Sequence, residues 1–238
     1  MKINDLNVIH WCCINRDIRS EKYRVFLDYS KIPINKPEWL TIITSFTDRY
    51  NAILIDQLDL NNTPYINAID NIDSFNFVKG LKPKYYYEVL KNVNTEYAII
   101  MDSYDSIIIN FDNIIEKYNE YGKDILYNAF PYNFPIDLNY DTGCNDPNKW
   151  CKINSGVVFG KTEKLKEFYK GLSEFVNENY DQNNQITSSE QYHITKYLNE
   201  NNINVSVGVD YNLNSIVACL YMDISKDNDD EYIFTKTL

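Results

Sequence analysis

The chain has 238 residues, of which 44% are hydrophobic and 15% aromatic, so it can fold and bury a core without help from disulfides. Its formal net charge of −11 argues against broad binding to nucleic acid, which needs clustered Lys and Arg. The N-terminus lacks the features of a signal peptide, and no run reaches the ~18 apolar residues of a membrane span. We therefore expect a soluble, cytoplasmic protein.

Cysteine usage favours a reducing compartment. The five cysteines are odd in number and form no C-x-x-C pair, which predicts neither a zinc ribbon nor a complete disulfide framework. Cys144 and Cys151 lie seven residues apart across a loop that contains Pro147, so a bridge between these two remains open.

The first part of the chain predicts strands around one helix. The apolar, β-branched run at 6–14 predicts a strand, and helical spacing of apolar residues over 21–31 predicts a helix. Residues 39–46 predict a strand or a helical turn, and residues 51–55 (NAILI) predict a strand. The acid- and Asn-rich stretch 56–76 predicts a long loop.

The middle of the chain alternates helices and strands. The run KPKYYYEVLKNV opens with a proline, as many helices do, and predicts a helix that ends near Asn94. EYAIIM then predicts a buried strand. Residues 111–122 predict a helix with Asp112 as its cap and Gly122 at its end, and residues 124–130 predict a strand.

The last part continues this alternation and decides the fold class. A Pro-, Asn- and Asp-rich loop is predicted over 131–150, followed by a strand over 152–161. Two amphipathic helices are predicted after it, one capped by Thr162 and one over 188–201. The sequence therefore predicts an α/β fold with a mainly parallel central sheet and helices on both faces.

Two aspartates follow the EYAIIM strand, at the edge where α/β sheets bind ligands. Asp102 and Asp105 are three apart, so their carboxylates converge only if the chain turns at Ser103 and Tyr104. Converging carboxylates repel each other unless a cation lies between them, and Mn²⁺ or Mg²⁺ suits such oxygen ligands. The alternative is a solvated turn that caps the next element.

Two further stretches carry candidate functional groups. In INSGVVFG, the glycines indicate close approach of a ligand or a backbone, and Asn154 and Ser155 could bind sugar hydroxyls; a bulge is the alternative. In SSEQYHITKYL, Glu190 and His193 share a helix face, although a carboxylate there is more often a cap. We interpret His193 and His10 as structural residues.

In this order, these stretches resemble a nucleotide-sugar glycosyltransferase of GT-A type, and more narrowly the glycosyltransferase domain of the collagen lysyl hydroxylase (procollagen-lysine dioxygenase) proteins. The resemblance runs from VIHWCCINRD through KPKYYYEVLKNVNTEYAIIMDSYDSIII and INSGVVFG to SSEQYHITKYL and VDYNLNSIVACL. Its most specific element is DSYD, which family members carry after an apolar strand.

The resemblance implies a role for each candidate residue. The metal ligands would be Asp102 and Asp105, which would hold Mn²⁺ on the UDP diphosphate. Glu190 and Asn154 would be catalytic or would contact the donor sugar. The remaining nucleotide-sugar contacts would be Cys12, Cys13, Lys82, Tyr104, Ser155, Gly156 and Gln191.

The resemblance also implies one domain over residues 1–238, with a nucleotide-binding half (about 1–110) and a sugar and acceptor half (about 111–238). The expected reaction transfers glucose or galactose from UDP-glucose or UDP-galactose to hydroxylysine or galactosyl-hydroxylysine of a collagen-like polypeptide. The alternatives are a GT-A transferase with another donor or acceptor, and a catalytically silent module that binds nucleotide sugar or collagen-like chains.

The sequence departs from the family pattern in two places. The aspartate run of the family is replaced by ITSSEQ, which leaves Glu190 as the only acid directly before Gln191. The family's His-Gly-Asn-Gly stretch, whose histidine is a third metal ligand, has no counterpart here. Because no iron-binding oxygenase domain is present in this sequence, lysyl hydroxylation is not expected.

Overall fold

A computed structural model describes residues 6–10, 27–47, 52–70, 78–130, 140–142, 144, 151–181, 183–184, 189–211, 217–219, 223–226 and 232–235. Cys12 and Cys13 lie outside these ranges, as do parts of the helix predicted over 21–31 and most of the loop predicted over 131–150.

Strands and helices alternate along much of the chain. The strands are β1 (Val8–His10), β2 (Leu40–Ser45), β3 (Ile66–Asn67), β4 (Tyr97–Asp102), β5 (Ser106–Ile108), β6 (Ile125–Phe130), β7 (Lys152–Lys161), β8 (Val207–Asp210), β9 (Val217–Cys219), β10 (Asp223–Lys226) and β11 (Tyr232–Thr235). In the described part of the chain, the helices are α1 (Ile53–Leu60), α2 (Lys82–Leu90), α3 (Ile114–Glu120), α4 (Thr162–Asn179) and α5 (Glu190–Glu200), with a short 3₁₀ helix (Lys79–Leu81) before α2. Residues 27–29, within the helix predicted over 21–31, are also helical.

The central sheet is mixed but mostly parallel. Its six strands lie in the order β3-β2-β4-β7-β6-β8. Strand β7 runs antiparallel to β4 and β6, whereas the β3–β2, β2–β4 and β6–β8 pairs are parallel. A smaller sheet, β5-β1-β9, and the β10–β11 hairpin complete the described strands. The predicted α/β class with a mainly parallel sheet is confirmed.

Helices pack on both faces of the central sheet, as predicted. Consecutive residues of a strand point alternately into two apolar clusters, one on each face of the sheet. Ile43 belongs to the cluster that contains residues of α2, α4 and α5. Ile42 faces the cluster that holds residues of α1 and α3. This alternation follows from the pleat of a strand whose two faces are both covered.

One predicted strand is wrong. NAILI was expected to be extended, but Ile53 begins helix α1, so the loop predicted over 56–76 starts inside a helix. The buried residues Leu54, Ile55 and Leu58 form one helical face, and the Leu54 N–H donates to the carbonyl of Ser103. A short apolar run fits either structure, and here tertiary packing decided in favour of the helix.

The helix ends follow the sequence only in part. Asp112 is not the cap of α3, because Asn113 occupies that position in the left-handed region. Thr162 is the first residue of α4 and follows the capping position, which Lys161 takes. Gly122 lies just past the end of α3 with a φ of 57°, as expected for a helix stop.

The bridge that the sequence left open is present, since Cys144 and Cys151 form a disulfide. Disulfides persist chiefly in oxidising compartments, so the bond does not support the expected reducing compartment, which stays a prediction. Among the described residues, none of the helices is both long enough and apolar enough to cross a bilayer.

Candidate metal centre

Polar residues line one edge of the central sheet. Ser45, the last residue of β2, pairs in register with Asp102, the last residue of β4. On the other side of β7, Asn128 of β6 pairs with Asn154 and with Asp210 of β8. Such an edge, beyond the carboxyl ends of parallel strands, is the usual ligand site of α/β sheets.

The chain turns sharply after β4, which meets the condition that the sequence set for the two carboxylates to converge. Residues 103–105 bend between β4 and β5, and the hydroxyl of Ser103 anchors the bend by donating to the Ser45 carbonyl at 2.8 Å. Strand β5 then pairs antiparallel with β1, which sets Ser106 directly opposite His10. The bend therefore brings Asp102 and Asp105 to the same site and places both beside His10.

Three side chains form a group that could hold a metal ion. Nε2 of His10 lies 3.5 Å from Oδ1 of Asp105 and 3.8 Å from Oδ2 of Asp102. One ligand atom from each residue lies within 4.8 Å of the other two. The imidazole is buried, and about a quarter of each carboxylate side chain is exposed, so the group opens to solvent on its acidic side.

A buried hydroxyl beside the group is consistent with a ligand there. Ser106 is fully buried, and its Oγ has no hydrogen-bond partner among the residues that the structure describes. Cross-strand pairs in antiparallel sheets share a face, so Ser106 and His10 point to the same side. An ion with its water shell would satisfy this hydroxyl, and buried polar atoms normally have such a partner.

The His10 ring fits closely between two strands. Its Nδ1 lies 3.0 Å from Nδ2 of Asn128, and the ring packs against the backbone of Gly156. A Cβ at Gly156 would lie 1.8 Å from Cε1 of His10, so only glycine leaves room for the imidazole. The Gly156 N–H in turn donates to Oδ1 of Asn154 at 2.9 Å.

A buried lysine neutralises part of the acidic group. Nζ of Lys82, at the start of α2, lies 2.5 Å from Oδ1 of Asp102 and 3.8 Å from Oε2 of Glu190. Burial alone would lower the pKa of Lys82, but the Asp102 and Glu190 carboxylates raise that pKa well above its ordinary value. Burial alone would raise the pKa of Asp102, but Lys82 and His10 lower it.

Glu190 is the most unusual carboxylate of the site. It is 2% exposed, and desolvation raises its pKa from 4.5 to about 7, although Lys82 opposes that rise. Its Oε1 has no hydrogen-bond partner within the described part of the chain. Glu190 is therefore a buried acid that changes protonation state near neutral pH.

No protein-family model and no curated protein matches this chain.

Of the nine predicted site residues in the described ranges, the structure brings five together. Asp102, Asp105, Lys82 and Glu190 are linked by the contacts above, and Gly156 touches His10. The other predicted residues in the described ranges are Asn154, Ser155, Tyr104 and Gln191.

These four residues differ in how close they lie to the group. Asn154 is buried and bonds to Gly156, whereas Ser155 is half-buried. The Tyr104 hydroxyl accepts a hydrogen bond from the Thr47 N–H at 3.0 Å. Gln191 is buried next to Glu190 at the start of α5.

Two residues of the site were not identified from the sequence. We interpreted His10 as structural, yet it belongs to the possible metal-binding group. Asn128, which contacts the His10 ring, was not singled out at all. Each lies in the last half of a strand that ends at the ligand-binding edge, and that position was the only available signal.

Proposed function

We propose that the chain is a metal-dependent glycosyltransferase that moves glucose or galactose from a UDP-sugar to hydroxylysine or galactosyl-hydroxylysine of a collagen-like protein. The donor and the acceptor come from the resemblance of the sequence stretches. A GT-A arrangement of the α/β fold belongs to the same proposal.

The convergence of His10, Asp102 and Asp105 carries this proposal. The three residues come from two strands and a bend, and together they offer one imidazole and two carboxylates within 4.8 Å. His10 would supply the third protein ligand that the family takes from its C-terminal histidine. The open acidic side leaves room for a diphosphate to complete the coordination of an ion.

The donor set favours Mn²⁺ over Mg²⁺. Mg²⁺ binds oxygen ligands almost exclusively and keeps several waters, whereas imidazole suits transition metals. When bound, such an ion would act as a Lewis acid for the departing diphosphate. The protein residues would hold the ion, and Lys82 would keep the Asp102 carboxylate ionised through their 2.5 Å contact.

The pKa of Glu190 suits a catalytic acid or base, but its burial does not. A pKa of about 7 suits proton transfer near neutral pH, and Oε1 is available to a partner. Its 2% exposure means that a sugar reaches it only after groups around it move. Asn154, Ser155 and Gly156 remain the proposed sugar contacts, and Tyr104 the proposed uridine contact.

The burial of Glu190 also favours a second candidate function. A catalytically silent module would bind a metal and a nucleotide sugar without turning the sugar over. Such a module needs His10, Asp102 and Asp105 but needs no accessible carboxylate. Release of UDP from UDP-glucose or UDP-galactose, dependent on Mn²⁺, would favour the enzyme, and binding of UDP without any turnover would favour the silent module.

The test of the proposal is the thermal midpoint of the protein with Mn²⁺, with UDP, and with both. We expect the largest rise when both are present, because the diphosphate completes the shell of the ion. Absence of any rise in all three conditions would overturn both the enzyme and the silent module.

A further inference from the structure

We infer that Asn128 is a positioning residue of the metal centre: its amide oxygen accepts from Nδ1–H of His10 when the ion is bound, which leaves the lone pair of Nε2 for the ion. The inference rests on the proposed metal centre and names a residue that the resemblance does not supply. Asn128 is 1% exposed and lies on β6, separate from the elements that carry the two aspartates.

The two ring nitrogens of His10 have different surroundings. Nε2 faces the carboxylates of Asp105 and Asp102, at 3.5 and 3.8 Å. Nδ1 faces the amide of Asn128, whose Nδ2 lies 3.0 Å away. Nε2 would therefore bind the ion, while Nδ1 would hydrogen-bond to Asn128.

Metal binding through Nε2 requires a lone pair on that nitrogen, which leaves the ring proton on Nδ1. A proton on Nδ1 needs an acceptor. The Oδ1 atom of Asn128 becomes that acceptor when the side-chain amide flips by about 180°, which exchanges the positions of Oδ1 and Nδ2. Without an ion, the amide placed with Nδ2 toward Nδ1 donates instead, and Nε2–H faces the carboxylates. One amide therefore serves both states of the ring.

The backbone is shaped to hold this pair in place. Tyr127 of β6 pairs with Val158 and the next residue, Asn128, pairs with Asn154, so β7 carries the irregularity at 155–157, which includes Gly156. Such bulges redirect side chains beside functional sites. The absence of a side chain at Gly156 leaves the space that the ring fills beside Asn128.

The test compares Mn²⁺ binding, measured by titration calorimetry without nucleotide, in the wild type, Asn128→Leu and Asn128→Asp. We expect Asn128→Leu to weaken binding about 10- to 100-fold, as loss of a ligand-orienting partner typically does. Asn128→Asp should keep wild-type affinity or exceed it, because a carboxylate can only accept from Nδ1–H. Asn67→Leu is the matched control, since it removes another buried amide, one bonded to Phe46 and Asp70.

Direct observation of the ring proton gives a second readout. The chain has two histidines, so ¹⁵N spectra of the imidazoles are simple to assign with a His193→Gln variant. With diamagnetic Zn²⁺ bound, His10 should carry its proton on Nδ1. A protonated Nε2 in the metal-loaded protein would overturn the inference even if Asn128→Leu failed to fold.

The outcomes separate the inference from the proposed function. Unchanged Mn²⁺ affinity in a folded Asn128→Leu protein would overturn the role of Asn128 and leave the metal centre standing. Failure of the wild type to bind either Mn²⁺ or Zn²⁺ would overturn the metal centre and this role together. If Asn67→Leu lost as much Mn²⁺ affinity as Asn128→Leu, the loss would reflect a general decrease in stability. That result would also overturn the proposed role of Asn128.

Discussion

The imidazole of His10 fills the space that a side chain at Gly156 would need: a Cβ there would lie 1.8 Å from Cε1, 2.3 Å from Nε2 and 2.6 Å from Nδ1 of the ring. Non-bonded heavy atoms do not lie this close together, so either the new Cβ or the ring would have to move. His10 can therefore take this position only if residue 156 is glycine. A substitution at Gly156 tests the proposed metal centre without removing any of its three ligands.

We expect Gly156→Ala to displace the ring and to abolish Mn²⁺ binding. Overpacking of this kind also costs stability, here about 1–3 kcal/mol. Gly208→Ala is the control, because Gly208 lies in β8 of the same sheet and its Cβ would meet the side chain of Lys123 and not the ring of His10. Titration of both variants with Mn²⁺ decides the matter, and unchanged affinity in Gly156→Ala would contradict the placement of His10.

Substitution of either aspartate should abolish metal binding, but the two substitutions should affect the stability of the protein differently. Asp105→Asn removes a carboxylate that, within the described residues, pairs with His10 and not with Lys82, so we expect lost Mn²⁺ binding with little change in the free energy of unfolding. Asp102→Asn also leaves the buried Lys82 without its closest counter-charge, which should cost about 3 kcal/mol. Chemical denaturation and Mn²⁺ titration of both variants measure these effects. Equal losses of stability would argue against the Lys82 contact.

Glu190 should make stability depend on pH between its two pKa values. Its pKa rises from 4.5 to about 7 on folding, so between these values the folded protein holds a proton that the unfolded chain has released. The stabilisation is complete below pH 4.5 and is lost as the pH rises to about 7, by a total of about 3 kcal/mol. Denaturation curves across this range, with chelator present, should show the decline in the wild type.

Glu190→Gln removes the titrating group and should remove this part of the decline. The informative quantity is the difference in the free energy of unfolding between wild type and variant at each pH, because groups distant from Glu190 titrate equally in both. A difference that stays constant across the range would contradict the raised pKa. Phe175→Leu, on a different helix, would control for a general loss of packing.

The disulfide between Cys144 and Cys151 should stabilise the protein modestly. Closing a loop of this length lowers the entropy of the unfolded chain by an amount worth about 2 kcal/mol. We expect the Cys144→Ser, Cys151→Ser double variant to lose that amount and to bind Mn²⁺ as the wild type does. A thiol assay on the denatured, unreduced protein should find two fewer reactive groups than after reduction, and an equal count would exclude the bond.

Local pattern predicted much of the fold. The buried run of β4 and the apolar faces of α2, α4 and α5 depend on the periodicity of neighbouring residues, which is visible in the sequence. The same pattern failed at NAILI, where a short apolar run fits a strand and a helix equally well. The helix was selected by packing against the sheet and by the bond from Leu54 to Ser103.

The sequence by itself determined the α/β class and placed Asp102 and Asp105 at the end of a buried strand. Only the tertiary structure decided that His10 meets them, that Asn128 and Gly156 hold its ring, and that Lys82 joins Asp102 to Glu190. These partners lie on different elements, far apart along the chain. Which strands become neighbours, and in what register, depends on the packing of the whole sheet, so no local pattern records it.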